Sequence, residues 1–152
     1  VSESVHISQA SFKDLNETAV LFNDYRVYYG KDSDLEGAGA FLYGLMEHRE
    51  SVVFLARGNE NGKAAGFAQL YPVFSSLSMQ RSWILNDLYV AAEFRNQGIG
   101  HQLLAAVSDY AVFTKSKGIA LETGVGNLGS QRLYEQCGYV RDDEFYHYFL
   151  NL

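Results

Sequence analysis

The stretch from Leu88 to His101 constrains this chain more than any other. Leu88-Tyr89-Val90 is apolar and strand-prone, Ala91 to Phe94 breaks the alternation, and Arg95-Asn96-Gln97-Gly98-Ile99-Gly100-His101 leads into Leu103, Leu104, Val107, Tyr110 and Ala111 at helical spacing. A strand that passes through a glycine-containing turn into a helix puts unsatisfied N–H groups and the positive end of the helix dipole at one point. Glycines there let a ligand reach the main chain without obstruction by a Cβ. Such a turn suits a pyrophosphate, and Arg95 adds a planar charged donor beside it. The spacing is not G-x-G-x-x-G, which argues against a dinucleotide fold, and no G-K-[ST] follows to make a Walker loop.

The rest of the chain predicts a sheet with helices. Val5 to Ser8 can start a strand. Ser11 with Asp14 resembles a capping box opening a helix through Phe12, Leu15, Ala19 and Phe22 that ends at Gly30. Ser33 with Glu36 predicts a second box and a helix carrying Phe41, Leu42, Leu45 and Met46. Ser51 to Ala56 and Ala64 to Val73 read as strands joined by a hairpin at Asn59-Glu60-Asn61-Gly62. A polar loop from Ser75 to Gln80 precedes a strand from Trp83 to Val90. After the helix, Lys115 and Lys117 suit its negative end and Gly118 its stop. Ile119, Leu121, Thr123 and Val125 alternate as a further strand, parallel to the one before the helix. A helix ending near Cys137-Gly138 follows, and then a final hairpin of Tyr139–Arg141 with Phe145–Leu150 around Asp142 and Asp143. The expected class is α+β: a mixed, mostly antiparallel central sheet flanked by helices, with a parallel strand-helix-strand unit. Without a repeat or Pro/Ser linker, residues 1–152 are expected to form a single domain.

Composition narrows the partners. The chain has 152 residues, 47% of them hydrophobic, and 12 Lys and Arg against 18 Asp and Glu give a net charge of −6. That excess of acid argues against nucleic acid. Neither a charged leader with an apolar core nor an apolar run of about 20 residues is present, so no membrane partner is expected. The single cysteine, Cys137, allows no intrachain disulfide and no cysteine-rich metal site, which points to a reducing, cytoplasmic setting without a metal.

Two motifs carry a family resemblance. Leu88-Tyr89-Val90 with Arg95-x-x-Gly98-x-Gly100 resembles the acetyl-CoA signature of the GNAT superfamily of N-acetyltransferases. Asn127 through Leu133-Tyr134-Glu135-Gln136-Cys137-Gly138-Tyr139 resembles that family's later pattern N-x-x-x-x-x-L-Y-x-x-x-G-[FY]. Within the superfamily, Ile84 to Gly100 most resembles the diamine and polyamine acetyltransferases.

The resemblance implies that main-chain groups of Leu88, Tyr89 and Val90 hold the pantetheine arm and the acetyl carbonyl. It implies that Arg95, Asn96, Gln97, Gly98, Ile99, Gly100 and His101 hold the pyrophosphate of acetyl-CoA, with Asn127 and Ser130 around the cofactor arm. Tyr134 matches the tyrosine that hydrogen-bonds the leaving sulfur. For the general base, polyamine-type relatives often carry Glu followed by Asp, where this chain has Asn86 and Asp87. Asp87 is the candidate base, although reference pKa values of about 10.4 for an amine and about 3.9 for Asp make direct transfer uphill by roughly 9 kcal/mol. A water relay or capture of neutral amine is easier. In a regular strand Asn86 shares a face with Leu88, and Asp87 shares the opposite one with Tyr89.

Tyr25, Tyr28, Tyr29, Asp32 and Asp34 cluster where the family places the acceptor pocket, and aromatic faces with carboxylates could hold a cation. The expected reaction is transfer of an acetyl group to a small-molecule primary amine such as a polyamine, amino acid or drug-like amine. The competing readings are acetylation of a protein amino group and a non-catalytic acetyl-CoA-binding module. A free edge on the final hairpin could pair two copies into a homodimer.

Overall fold

The computed structural model describes residues 5–152 and falls into two units, one ending at Glu122 and the other spanning Thr123–Leu152. The first unit holds a five-stranded sheet in the order β1-β2-β3-β4-β5. Its strands are β1 (Val5–Gln9), β2 (Val52–Gly58), β3 (Ala64–Ser75), β4 (Gln80–Val90) and β5 (Ile119–Ala120). The first four run antiparallel to their neighbours, and β5 runs parallel to β4. Helices α1 (Leu15–Tyr28), α2 (Leu35–Glu47) and α3 (Ile99–Phe113) flank the sheet. The architecture is therefore the mixed, mostly antiparallel one expected.

Each face has its own core. Ala19, Leu21 and Phe22 of α1 and Ala38 and Leu42 of α2 pack with Val53, Leu55 and Phe67 of the sheet. Side chains alternate along a strand, so Phe54 points to the other face, where its ring meets Tyr110 of α3. Trp83 of β4 lies on that face too, with its ring 5.5 Å from Tyr110 and its indole N–H donating to the Thr114 hydroxyl at 3.0 Å.

Halfway along β4 the pairing slips. Gln69 is opposite Asp87 and Leu70 is opposite Leu85, which leaves Asn86 as an extra residue. A bulge of this kind reverses the parity of every later side chain. Trp83 and Leu85 thus share the α3 face, whereas Asp87 and Tyr89 turn to the α1/α2 face, where Tyr89 meets Tyr25, Tyr28 and Phe67. Close to this point Gly66 lets β3 approach β4 tightly, because a Cβ there would stand 2.7 Å from the Tyr89 carbonyl oxygen.

Several local expectations are corrected. The first capping box opens a 3-10 turn at Phe12–Asp14, and the α-helix begins only at Leu15. In that box Asp14 accepts from the Ser11 amide at 2.9 Å. The cap of α2 is Asp34, which accepts from the Gly37 amide at 2.9 Å, while Ser33 accepts from Asn23. The Ser75–Gln80 loop shrinks to a turn because β3 and β4 extend to Ser75 and Gln80. Helix α3 stops at Phe113, with Lys115 in the left-handed region (φ 55°), and Gly118 serves instead as acceptor for the Trp83 amide. The strand after it pairs only at Ile119 and Ala120. A glycine at 124 and another at 126 weaken the continuation, since glycine within a strand carries maximal backbone entropy.

The second unit contains α4 (Leu128–Gln136), closed by Gly138 at φ 93°. The expected final hairpin is not a paired ribbon. The acidic turn exists, with the Glu144 amide on Asp142 Oδ1 at 2.9 Å, yet no strand is formed by Tyr139–Arg141 or Phe145–Leu150. Three residues against six make a short two-stranded ribbon, which is marginal without a third strand or a polar face, and Phe145 to Leu150 is aromatic or apolar on both sides except for His147. The edge on which a homodimer was expected is accordingly not formed. Among the described residues no helix is long and apolar enough to cross a membrane.

Candidate active site

The end of β4 is built to leave main-chain groups open. The Ala91 amide donates to the Ala65 carbonyl at 2.8 Å, so residues 91, 89 and 87 point their N–H and C=O groups toward β3. Those of Leu88 and Val90 point the other way. Pairing with β5 stops at Ile84, so within the first unit, among the described residues, this outward edge has no ladder partner beyond that point.

The chain then passes through a 3-10 turn at Ala92–Phe94 into the glycine segment. Asn96 (φ 63°) and Gly98 (φ 79°) both adopt left-handed backbone, and Gly98 caps α3. Successive N–H groups in such a turn converge into an anion-binding concavity. Among the described residues no protein acceptor takes the amides of Asn96, Gln97, Gly98, Ile99 or Gly100, and the Gln102 amide donates to the Gly98 carbonyl at 3.2 Å. Ile99 is 1% exposed and anchors the helix start in the core. His101 is exposed. This donor set fits a diphosphate.

Arg95 is placed differently from a solvated surface cation. Its Nε donates to the Val90 carbonyl at 2.9 Å, and its guanidinium lies 4.8 Å from the Tyr28 ring centre and 5.6 Å from that of Tyr89. Tyr25 contacts Tyr29, Tyr89 and Phe67 edge-on. The structure therefore gathers Tyr25, Tyr28, Tyr29, Tyr89 and Arg95 on the face to which the bulge turns Asp87. It does not draw the two acids of the turn into that group. Asp34 caps α2, and the Asp32 carbonyl accepts from Arg26 Nη1 at 3.3 Å.

Asp87 is 5% exposed. One carboxylate oxygen accepts from Gln69 Nε2 at 2.8 Å and the other from Asn86 Nδ2 at 3.2 Å. Gln69 Nε2 also reaches the Tyr71 hydroxyl at 3.3 Å. Burial, with the negative charge of Asp87 adding to it, pushes the Tyr71 hydroxyl up to about 12, so it stays protonated. Sequence reasoning overlooked both partners. The available signal was an amide in an otherwise apolar strand, Ala64 to Val73.

In the second unit, Asn127 caps α4, its Oδ1 accepting from the Ser130 amide at 3.2 Å. Tyr134 and Tyr139 pack edge-on with ring centres 5.8 Å apart, and burial pushes the Tyr139 hydroxyl up to about 12. Cys137 is a half-buried free thiol.

With this geometry established, the likeness to known proteins is specific. Residues 17–139 match the model of the acetyltransferase (GNAT) family, and the chain belongs to that family; it is an N-acetyltransferase. It is 47% identical over 148 residues, covering 97% of this chain and 98% of the relative, to an uncharacterized N-acetyltransferase, YhfO, of Bacillus subtilis strain 168. A crystal structure of a probable acetyltransferase superposes with a TM-score of 0.92 at 41% identity over 97% of each chain. An aminoglycoside N(6')-acetyltransferase type 1 of Serratia marcescens is 29% identical over 107 residues, 68% of this chain and 73% of its own. The family generally uses acetyl-CoA.

Proposed function

We propose that this N-acetyltransferase moves the acetyl group of acetyl-CoA directly to a primary amine of a small molecule, and that residues 1–152 act as one transferase domain in the cytoplasm. The family match runs across both units, which supports the single-domain reading. The observation that carries the acceptor side is the gathering of Asp87, Tyr89, Tyr25, Tyr28 and Tyr29 on one face at the end of β4. Aromatic faces with a nearby carboxylate suit a compact cation. The aminoglycoside enzyme, similar over 68% of the chain, supports a small polycationic amine as acceptor.

In this reading the amides from Asn96 to Gly100 hold the diphosphate, and the outward N–H groups of Leu88 and Val90 hold the pantetheine arm and the acyl oxygen. When bound, acetyl-CoA supplies a thioester carbon open to attack. Asp87 takes the amine proton through a water, which avoids the uphill direct transfer. Tyr134 hydrogen-bonds the leaving sulfur, a role resting on the motif from Asn127 to Tyr139. Asn127 and Ser130 line the cofactor arm on the same basis.

Steady release of free CoA thiol from acetyl-CoA with a panel of diamines, polyamines, amino acids and aminoglycosides tests this. Release that saturates with one of these amines is expected. Acetyl-CoA binding with no amine-dependent release would leave only a binding module, and release with amino-terminal peptides alone would move the acceptor class to proteins.

A further inference from the structure

Gln69 is 0% exposed in the middle of β3, between Ala68 and Leu70. Burying a primary amide is unfavourable unless its polar atoms find partners, and buried polar groups in folded chains are overwhelmingly paired. Here the pairing is one-sided. Nε2 contacts the Asp87 carboxylate and the Tyr71 hydroxyl, whereas Oε1 is buried and has no partner among the described residues. A methionine of similar length would fill the same space and leave no orphaned oxygen. The arrangement is costly for the amide and favourable for the carboxylate.

The bulge at Asn86 completes the clamp. It brings Asp87 opposite Gln69 in the ladder and lets the neighbouring Asn86 amide meet the second carboxylate oxygen. A carboxylate held at both oxygens by amides from two strands has one orientation. A displacement of about 1 Å in a reacting group can lower turnover about 100-fold, so fixing that orientation bears directly on rate.

We infer that Gln69 is a positioning residue that aims the Asp87 carboxylate for the proton leaving the acceptor amine. This rests on the reading of Asp87 as proton acceptor. Gln69 itself touches neither acceptor nor cofactor, and its N–H stays on the carboxylate while the proton arrives at the same group through water.

The test is a double-mutant cycle on the full chain, using Gln69→Met, Asp87→Asn and the pair together. Turnover is read with acetyl-CoA and kanamycin or spermidine, whichever the wild type uses faster, and acetyl-CoA affinity is read by calorimetry. Gln69→Met is expected to lower kcat about 10- to 100-fold with acetyl-CoA affinity within about twofold of wild type, and to cause no further loss in the Asp87→Asn background. Additive losses would make Gln69 a packing residue and overturn the inference. Wild-type turnover in Gln69→Met beside an impaired Asp87→Asn overturns it while leaving Asp87 in place. Wild-type turnover in Asp87→Asn removes the proton-acceptor reading itself. If Gln69→Met does not fold, the isosteric Gln69→Glu, which exchanges the donor for an acceptor, is read in the same cycle.

Discussion

Arg95 Nε donates to the carbonyl of Val90, so the side chain that opens the glycine turn also occupies the last outward acceptor of β4. The same guanidinium covers Tyr28 and Tyr89, which ties the turn, the strand end and the aromatic cluster to one residue.

Lysine keeps the charge at position 95 but has neither the planar face nor the Nε donor. Arg95→Lys is therefore expected to raise the KM for acetyl-CoA roughly fivefold, the effect of one hydrogen bond of about 1 kcal/mol. A variant with wild-type KM would mean that charge alone is needed there.

Gly66→Ala places a Cβ 2.7 Å from the Tyr89 carbonyl oxygen and 3.3 Å from the Val90 Cα, both backbone atoms that cannot rotate away. Overpacking of this kind costs about 1–3 kcal/mol. A lowered melting temperature together with weaker acetyl-CoA binding is expected, because β4 must shift where its outward amides lie. Loss of stability without any change in binding would detach that edge from the cofactor.

Tyr134→Phe removes a hydroxyl and nothing else. A hydrogen bond to a developing charge contributes about 1.5–3 kcal/mol, so kcat should fall about 10- to 150-fold, with acetyl-CoA affinity nearly unchanged. Turnover equal to wild type would defeat the sulfur-binding role.

Alkaline pH should weaken the fold. Burial holds Tyr71 at about 12, above the ordinary value near 10. Between those values the unfolded chain releases its proton and the folded chain keeps it, so the stabilisation is complete below about pH 10 and is lost as pH rises toward 12. Between about pH 9, below this window, and about pH 11.5, in its upper part, the urea midpoint should fall less for Tyr71→Phe than for wild type. Equal falls would place the alkaline weakness elsewhere; Tyr139, also held at about 12, is the next group to substitute.

Much of this was legible in the sequence because period and glycine placement are local. Gly98 stands in the turn and Gly138 at the helix end where the sequence placed them, both with left-handed backbone, and the apolar stripe of α3 is buried as spaced. The cap at Asp34 was missed because a serine one residue earlier offers the same chemistry, and only the fold decides which oxygen meets Gly37. The bulge was illegible for a stronger reason: an inserted residue shows only against the partner strand, so nothing within Leu85–Leu88 marks it. Gln69 was passed over because its meaning depends on Asp87, 18 residues away in sequence and adjacent across the ladder. The final hairpin was overcalled because aromatic residues favour strands whether or not a partner strand exists.

The extra residue at Asn86 gives β4 two separate audiences. Upstream, Trp83 and Leu85 answer to α3; downstream, Asp87 and Tyr89 answer to α1 and α2. Substitutions on the α1/α2 side below that point can accumulate without disturbing the packing that seats α3, so under the proposed function a lineage can drift toward new amines while the body of α3 stays in place.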